Sequence, residues 1–163
     1  LCTMHLGDYC PGCGGGTGNQ SCAVARCSLE HGGVAYCYLC AEYPCARYEG
    51  IDEYDSFITH RNRRADMEKA RRIGPEAYRA EQVKKCEILQ TLLETCNDGR
   101  RKPLFAAAVN LLELEELNAV LAQRSRGPAD LSVKEKAVQV AELLQMAASR
   151  RGIDLKLRKK PAK

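Results

Sequence analysis

Eight cysteines lie within the first 45 residues of this chain, and their spacing constrains the fold more than any other feature. They run Cys2, Cys10-x2-Cys13, Cys22-x4-Cys27 and Cys37-x2-Cys40-x4-Cys45. In CPGCGGGTGNQSCAVARC, residues 10–27, four cysteines and five glycines occupy eighteen positions, with no run of apolar residues between them. A segment of about 48 residues with so little to bury cannot fold alone on a hydrophobic core. Something else must hold it.

Bound metal is the explanation the spacing favours. A C-x2-C pair on a tight turn aims two sulfurs at one point, and two such pairs supply a tetrahedral site. Glycines beside the ligands suit turns that need positive φ. Structural zinc contributes roughly 10–16 kcal/mol of apparent binding free energy at neutral pH, enough to replace a missing core. All eight cysteines, Cys2, Cys10, Cys13, Cys22, Cys27, Cys37, Cys40 and Cys45, are therefore candidate ligands, enough for two four-cysteine zinc sites. The preferred grouping joins the two C-x2-C pairs, Cys10, Cys13, Cys37 and Cys40, and leaves Cys2, Cys22, Cys27 and Cys45 for the other site. A sequential split is close behind. An iron–sulfur cluster is the alternative cofactor, since thiolate quartets with Cys-Pro neighbours also suit iron. Thiol redox chemistry needs fewer cysteines. A disulfide framework fits poorly with charge-rich helices and no secretory context.

After residue 48 the pattern changes to helices. Residues 55–73 read as a helix with Asp55 or Ser56 as N-cap and Gly74 as its stop. Pro75 fits the first turn of a second helix running to about Cys96, ended by Asn97-Asp98-Gly99. Pro103 opens a third through FAAAVNLLELEELNAVLAQ, closed by Gly127-Pro128. Ser132 and Glu135 form a capping box for a fourth, whose apolar residues keep helical spacing. Two alternating stretches, Val34–Tyr38 and the IDLKL beginning at Ile153, read as short strands that pair with each other. The predicted fold is mainly α with a little β, about four helices packed on an N-terminal zinc knuckle. Its parts are 1–48, the Cys-rich metal-binding knuckle; 49–127, a helical region packed on it; and 128–163, a helix with a short strand and a basic tail.

Charge divides along the same line. Residues 1–48 balance at −1, and the rest carries 23 basic against 18 acidic residues, a balance of +5. Such an excess permits an acidic partner without demanding one. No window approaches eighteen uninterrupted apolar residues, so a membrane span is not expected. The charged helices and free thiols suit a cytoplasmic setting.

Other candidates weaken under their ordinary readings. Gly14 to Gly18 lacks the Gly-Lys-Ser/Thr of a phosphate loop. Cys86 and Cys96 lie about 15 Å apart along one helix, too far to share a metal, and read as small apolar residues. His5, His31 and His60 do not pair with one another or with a carboxylate at catalytic spacing; His31 is a suitable ligand type, but the cysteines suffice. RNRRADMEKARR, residues 61–72, reads as a solvated or knuckle-facing helix, lacking the aromatic residues on which single-strand readers stack bases. Tyr36, Tyr38, Tyr43 and Tyr48 cover the metal sites or present a contact surface.

LGDYCPGCGGG, SCAVARC and YCYLCAEYPCARY together resemble a cysteine-rich bacterial and archaeal family, domain-of-unknown-function family 3795. IGPEAY, ILQTLLETCNDGRRK and NLLELEEL resemble its helical continuation. The resemblance implies zinc binding in a prokaryotic protein and brings no activity with it. Four thiolates leave a zinc no open position for substrate. The sequence therefore points to a non-enzymatic zinc module that recognises a protein partner, with nucleic acid as the lesser alternative and no catalytic residues.

Overall fold

A computed structural model describes residues 1–12, 23–128 and 130–161. Seven α-helices are present among them: α1 (Thr3–Leu6), α2 (Ala23–Glu30), α3 (Arg63–Ile73), α4 (Pro75–Thr95), α5 (Lys102–Leu111), α6 (Leu114–Ser125) and α7 (Val133–Arg150). Two 3₁₀ turns, Cys37–Leu39 and Ala46–Tyr48, lie between α2 and α3. The mainly α expectation holds.

The core forms where α4, α5, α6 and α7 turn their apolar faces together. Phe105, Leu89, Leu92, Leu112, Leu117 and Leu144 are its largest fully buried side chains. Cys96 is buried among them as a small apolar residue, while Cys86 is half-buried. Leu1 and Leu6 pack on the same core, and Asn110 Nδ2 donates to the Leu1 carbonyl at 3.4 Å. The start of the Cys-rich segment is thereby fixed to the helices.

Local signals explain several boundaries. Gly74 takes φ +87° between α3 and α4, a left-handed conformation that costs glycine least, and Pro75 opens α4 at its first turn. Ser132 Oγ accepts from Glu135 N, and the Glu135 carboxylate accepts from Ser132 N, the reciprocal box expected for α7.

Four expectations need correction. The first helix begins at Arg63, not at residue 55, because Asp55 is used elsewhere. Its carboxylate, fully buried, accepts from His60 N, Thr59 Oγ1 and Arg158 N, and lies 3.4 Å from Arg61 Nε. The third helix is two, broken at Leu112 and restarted by Glu113, whose side chain accepts the α6 N3 amide while Glu116 caps Glu113 N in return. AVARCSLE, in the Cys-rich segment ahead of the predicted helices, forms α2. No strand occurs among the described residues. Residues 34–36 are irregular backbone leading into the 3₁₀ turn Cys37–Leu39, and residues 153–157 lie against 55–61 instead. There Asp55 N donates to the Arg158 carbonyl, while the Arg61 guanidinium serves the Asp154 and Lys156 carbonyls that a neighbouring strand would otherwise satisfy.

Candidate metal centre

Tight local turns place Cys27, Cys37, Cys40 and Cys45 around one cavity. Cys40 N donates to the Cys37 carbonyl at 3.0 Å, closing a 3₁₀ turn in which residues three apart eclipse, so the two thiols share a side. The same geometry pairs Cys45 with Tyr48, whose amide donates to the Cys45 carbonyl at 2.9 Å. On α2, Cys27 and His31 are four residues apart and occupy one face. The four cysteines, with His31, Tyr43 and Tyr48, line a cavity of about 30 Å³. A water needs about 10–15 Å³, so there is room for one ion. Among the described residues no three Cys, His, Asp or Glu side chains converge closely enough to form a metal-holding group. The four cysteines line this cavity without forming such a group. Their number, their softness and the cavity's size fit a single thiophilic cation.

Two tyrosines seal the inner wall. Tyr48 is the buried one, and Tyr43 packs edge-on against it with ring centroids 5.0 Å apart. Burial pushes the Tyr48 hydroxyl far above its ordinary pKa, and its hydrogen bond with Cys37 adds to this. Burial also raises Tyr43, with the Glu68 charge second, and its hydroxyl donates to Glu68 Oε1 at 3.3 Å. Tyr36 stacks on Tyr38 and meets Tyr78 of α4 edge-on. These contacts make Tyr36, Tyr43 and Tyr48 packing residues in this segment.

His31 is exposed at the cavity's edge. Its Nδ1 lies 2.8 Å from the Cys27 carbonyl and 3.5 Å from Cys27 Sγ, and its Nε2 lies 3.5 Å from Glu42 Oε1. The fold thus gives His31 a carboxylate neighbour that chain spacing did not suggest. The hydrogen bond to the Cys27 carbonyl raises its pKa, opposed by desolvation and reinforced by Glu42. With Nδ1–H committed to that carbonyl, the nitrogen facing Cys27 is not free to deprotonate the thiol. Cys27, His31 and Glu42 therefore do not make a nucleophile–base pair.

Cys2 and Cys10 line a different, wider groove. Cys2 precedes α1, and its carbonyl accepts from Leu6 N at 2.9 Å, while the Cys10 carbonyl lies 3.1 Å from His5 Nδ1. Gly12, two residues after Cys10, takes φ +90°, a conformation that costs glycine least. Cys13, Cys22 and the glycines at 14–16 and 18 lie outside the described residues. Among the described residues, Cys27, Cys37, Cys40 and Cys45 line one cavity, and Cys2 and Cys10 line another.

The basic helix faces the Cys-rich segment. Arg64 donates to the Tyr48 carbonyl and lies 3.3 Å from Asp52, and Glu68 receives Tyr43. Behind it, Lys69 Nζ donates to Glu81 Oε1 and Glu113 Oε2, each at 2.6 Å, and the buried Lys85 lies 3.6 Å from Glu81. Burial raises the Asp66 carboxyl to about 6, against Lys85 and Lys69, which lower it. Chain spacing did not suggest this cluster, because its members come from α3, α4 and the N-cap of α6.

Residues 3–50 match a family model described as "Protein of unknown function (DUF3795)". That match covers LGDYCPGCGGG, SCAVARC and YCYLCAEYPCARY, and does not extend to the helical stretches after residue 50. No curated protein and no solved structure gives a significant match to the chain. No described helix is long and apolar enough to cross a membrane.

Proposed function

We propose that the Cys-rich segment is a zinc-stapled module whose metals are structural, and that the chain acts by binding a protein partner. The single observation carrying the metal reading is the shared cavity of Cys27, Cys37, Cys40 and Cys45. Four soft donors around room for one ion suit tetrahedral zinc better than an eight-atom iron–sulfur cube. Cys2 and Cys10, with Cys13 and Cys22, form the second site in this reading. Four thiolates fill each coordination sphere, so the metal supplies folding energy and no open position for a reacting group.

Metal analysis of the chain purified without oxygen tests this reading. It expects about two zinc per chain, no iron and no acid-labile sulfide. Cys37→Ser and Cys40→Ser should each lose about one zinc and leave the other. Cys10→Ser should lose the zinc that those variants keep. Iron with sulfide, or a colourless protein with no bound metal, overturns it. Loss of the same zinc from Cys10→Ser and Cys37→Ser would restore the grouping of the two C-x2-C pairs.

A further inference from the structure

The groove that holds Cys2 and Cys10 encloses about 1130 Å³ along the seam between the Cys-rich segment and the helices. Small-molecule clefts span roughly 300–1,000 Å³, so this one suits an extended peptide better. Met4, Ile51, Phe57 and Ile58 give it apolar walls, and Phe57 is 53% and Met4 41% exposed. Scattered exposed apolar residues are ordinary, but several on one concave surface mark a contact site.

The polar lining has one sign. Arg47, Arg63 and Lys102 face the groove against Glu49, the one carboxylate among its described residues, a balance of 3 − 1 = +2. Arg47 lies 3.9 Å from Glu30. Among the described residues, neither Arg63 nor Lys102 makes an ion pair. Desolvation, then the Arg63 charge, lowers the His60 pKa, so His60 is neutral at pH 7 and does not add to this balance. Phe57 is the groove's one described aromatic residue, too few to make a stacking platform for a nucleic-acid strand. Two unpaired cations beside apolar walls call for a ligand with a carboxylate among apolar side chains.

We infer that this groove binds a partner-protein segment in which an acidic residue is flanked by bulky apolar ones, the carboxylate answering Arg63 and Lys102. This rests on the reading of the chain as a protein-binding module and names the class of partner.

Selection of a random peptide library on the full chain, as purified with its metal, tests it. The recovered peptides should carry Asp or Glu beside Phe, Leu, Ile or Met. A synthetic peptide of the recovered sequence, followed by fluorescence anisotropy, should bind the R63E/K102E double variant roughly tenfold more weakly. F57S should also weaken it, with helical circular dichroism unchanged in both variants. Recovery without acidic enrichment, or equal affinity for R63E/K102E, overturns the inference. A single-stranded oligonucleotide that binds the groove more tightly than any peptide does so too. Zinc counted on the same preparation separates this result from the metal reading. A chain holding zinc but selecting no acidic peptide loses the groove and keeps the metal; a zinc-free chain that selects acidic peptides does the reverse.

Discussion

Up to Gly50, Tyr48 alone among the described residues is buried, whereas the core cluster running from Ile88 to Leu155 contains twenty buried residues. The two regions touch through Leu1, Leu6, Tyr36 and Arg64 of α3, yet they answer the problem of chain entropy by different routes. The helices remove apolar surface from water. Each fully buried Leu or Phe contributes about 1.5–3 kcal/mol, and the sum offsets the ordering of the backbone. The Cys-rich segment has turns, a few ring contacts and exposed ion pairs, each worth under about 1 kcal/mol. On the zinc reading proposed above, cross-linking by metal is the term that differs between them.

Removing that term is the most severe way to separate the regions. A strong zinc chelator should remove roughly 10–16 kcal/mol of apparent binding energy from the Cys-rich segment. Limited proteolysis should then cut within residues 1–50 while α4 to α7 stay protected. Simultaneous collapse of both regions would show that the helices cannot stand without the metal. The opposite cut is Phe105→Ala, which should cost about 3–5 kcal/mol in urea unfolding of the helices. Zinc content of the folded variant should be unchanged.

Asp66 sits behind the seam, among the charges of α3 and α4, and gives a smaller effect with a definite sign. Its carboxyl titrates near 6 when folded and near 3.8 when unfolded, so the folded state holds the proton more tightly. Stability from this group is fully present below about pH 4 and is lost as pH rises through 6, up to about 3 kcal/mol in all. Asp66→Asn should therefore flatten the pH dependence of helix stability between about pH 4 and 7, and should match or exceed the parent at pH 8. A steeper slope in the variant would place the titrating group elsewhere. Smallest is Ser132→Ala, expected to cost about 1 kcal/mol by removing the α7 cap, with no change in the Cys-rich segment. Thermal unfolding with a parallel zinc count checks both halves of that statement.

What the sequence disclosed tracks the range of the interactions involved. Gly74, Pro75 and the Ser132–Glu135 box act within a few residues, and each boundary they announce is present. The break before α6 was hidden because Glu is not among the favoured N-caps, and the Lys69 ammonium that Glu113 receives comes from 44 residues away. IDLKL alternates because Leu155 is buried and its neighbours are not. That pattern encodes a face and says nothing about a strand partner, and Arg61 supplied the donors instead. Cysteine pairs three apart were legible from turn geometry. Which pairs share a cavity was not, because Cys27 reaches Cys37 only through the path of the chain after α2.

The contact between Asp55 and Arg158 joins positions 103 apart in the chain. Closing so long a loop costs about 4 kcal/mol in entropy unless the intervening helices already hold its ends together. Those bonds are therefore expected to form late in folding. In the native state they also keep the Arg158 amide partnered at the surface. Hydrogen exchange at Arg158 and His60 should then proceed together, as one latch that opens before the core does.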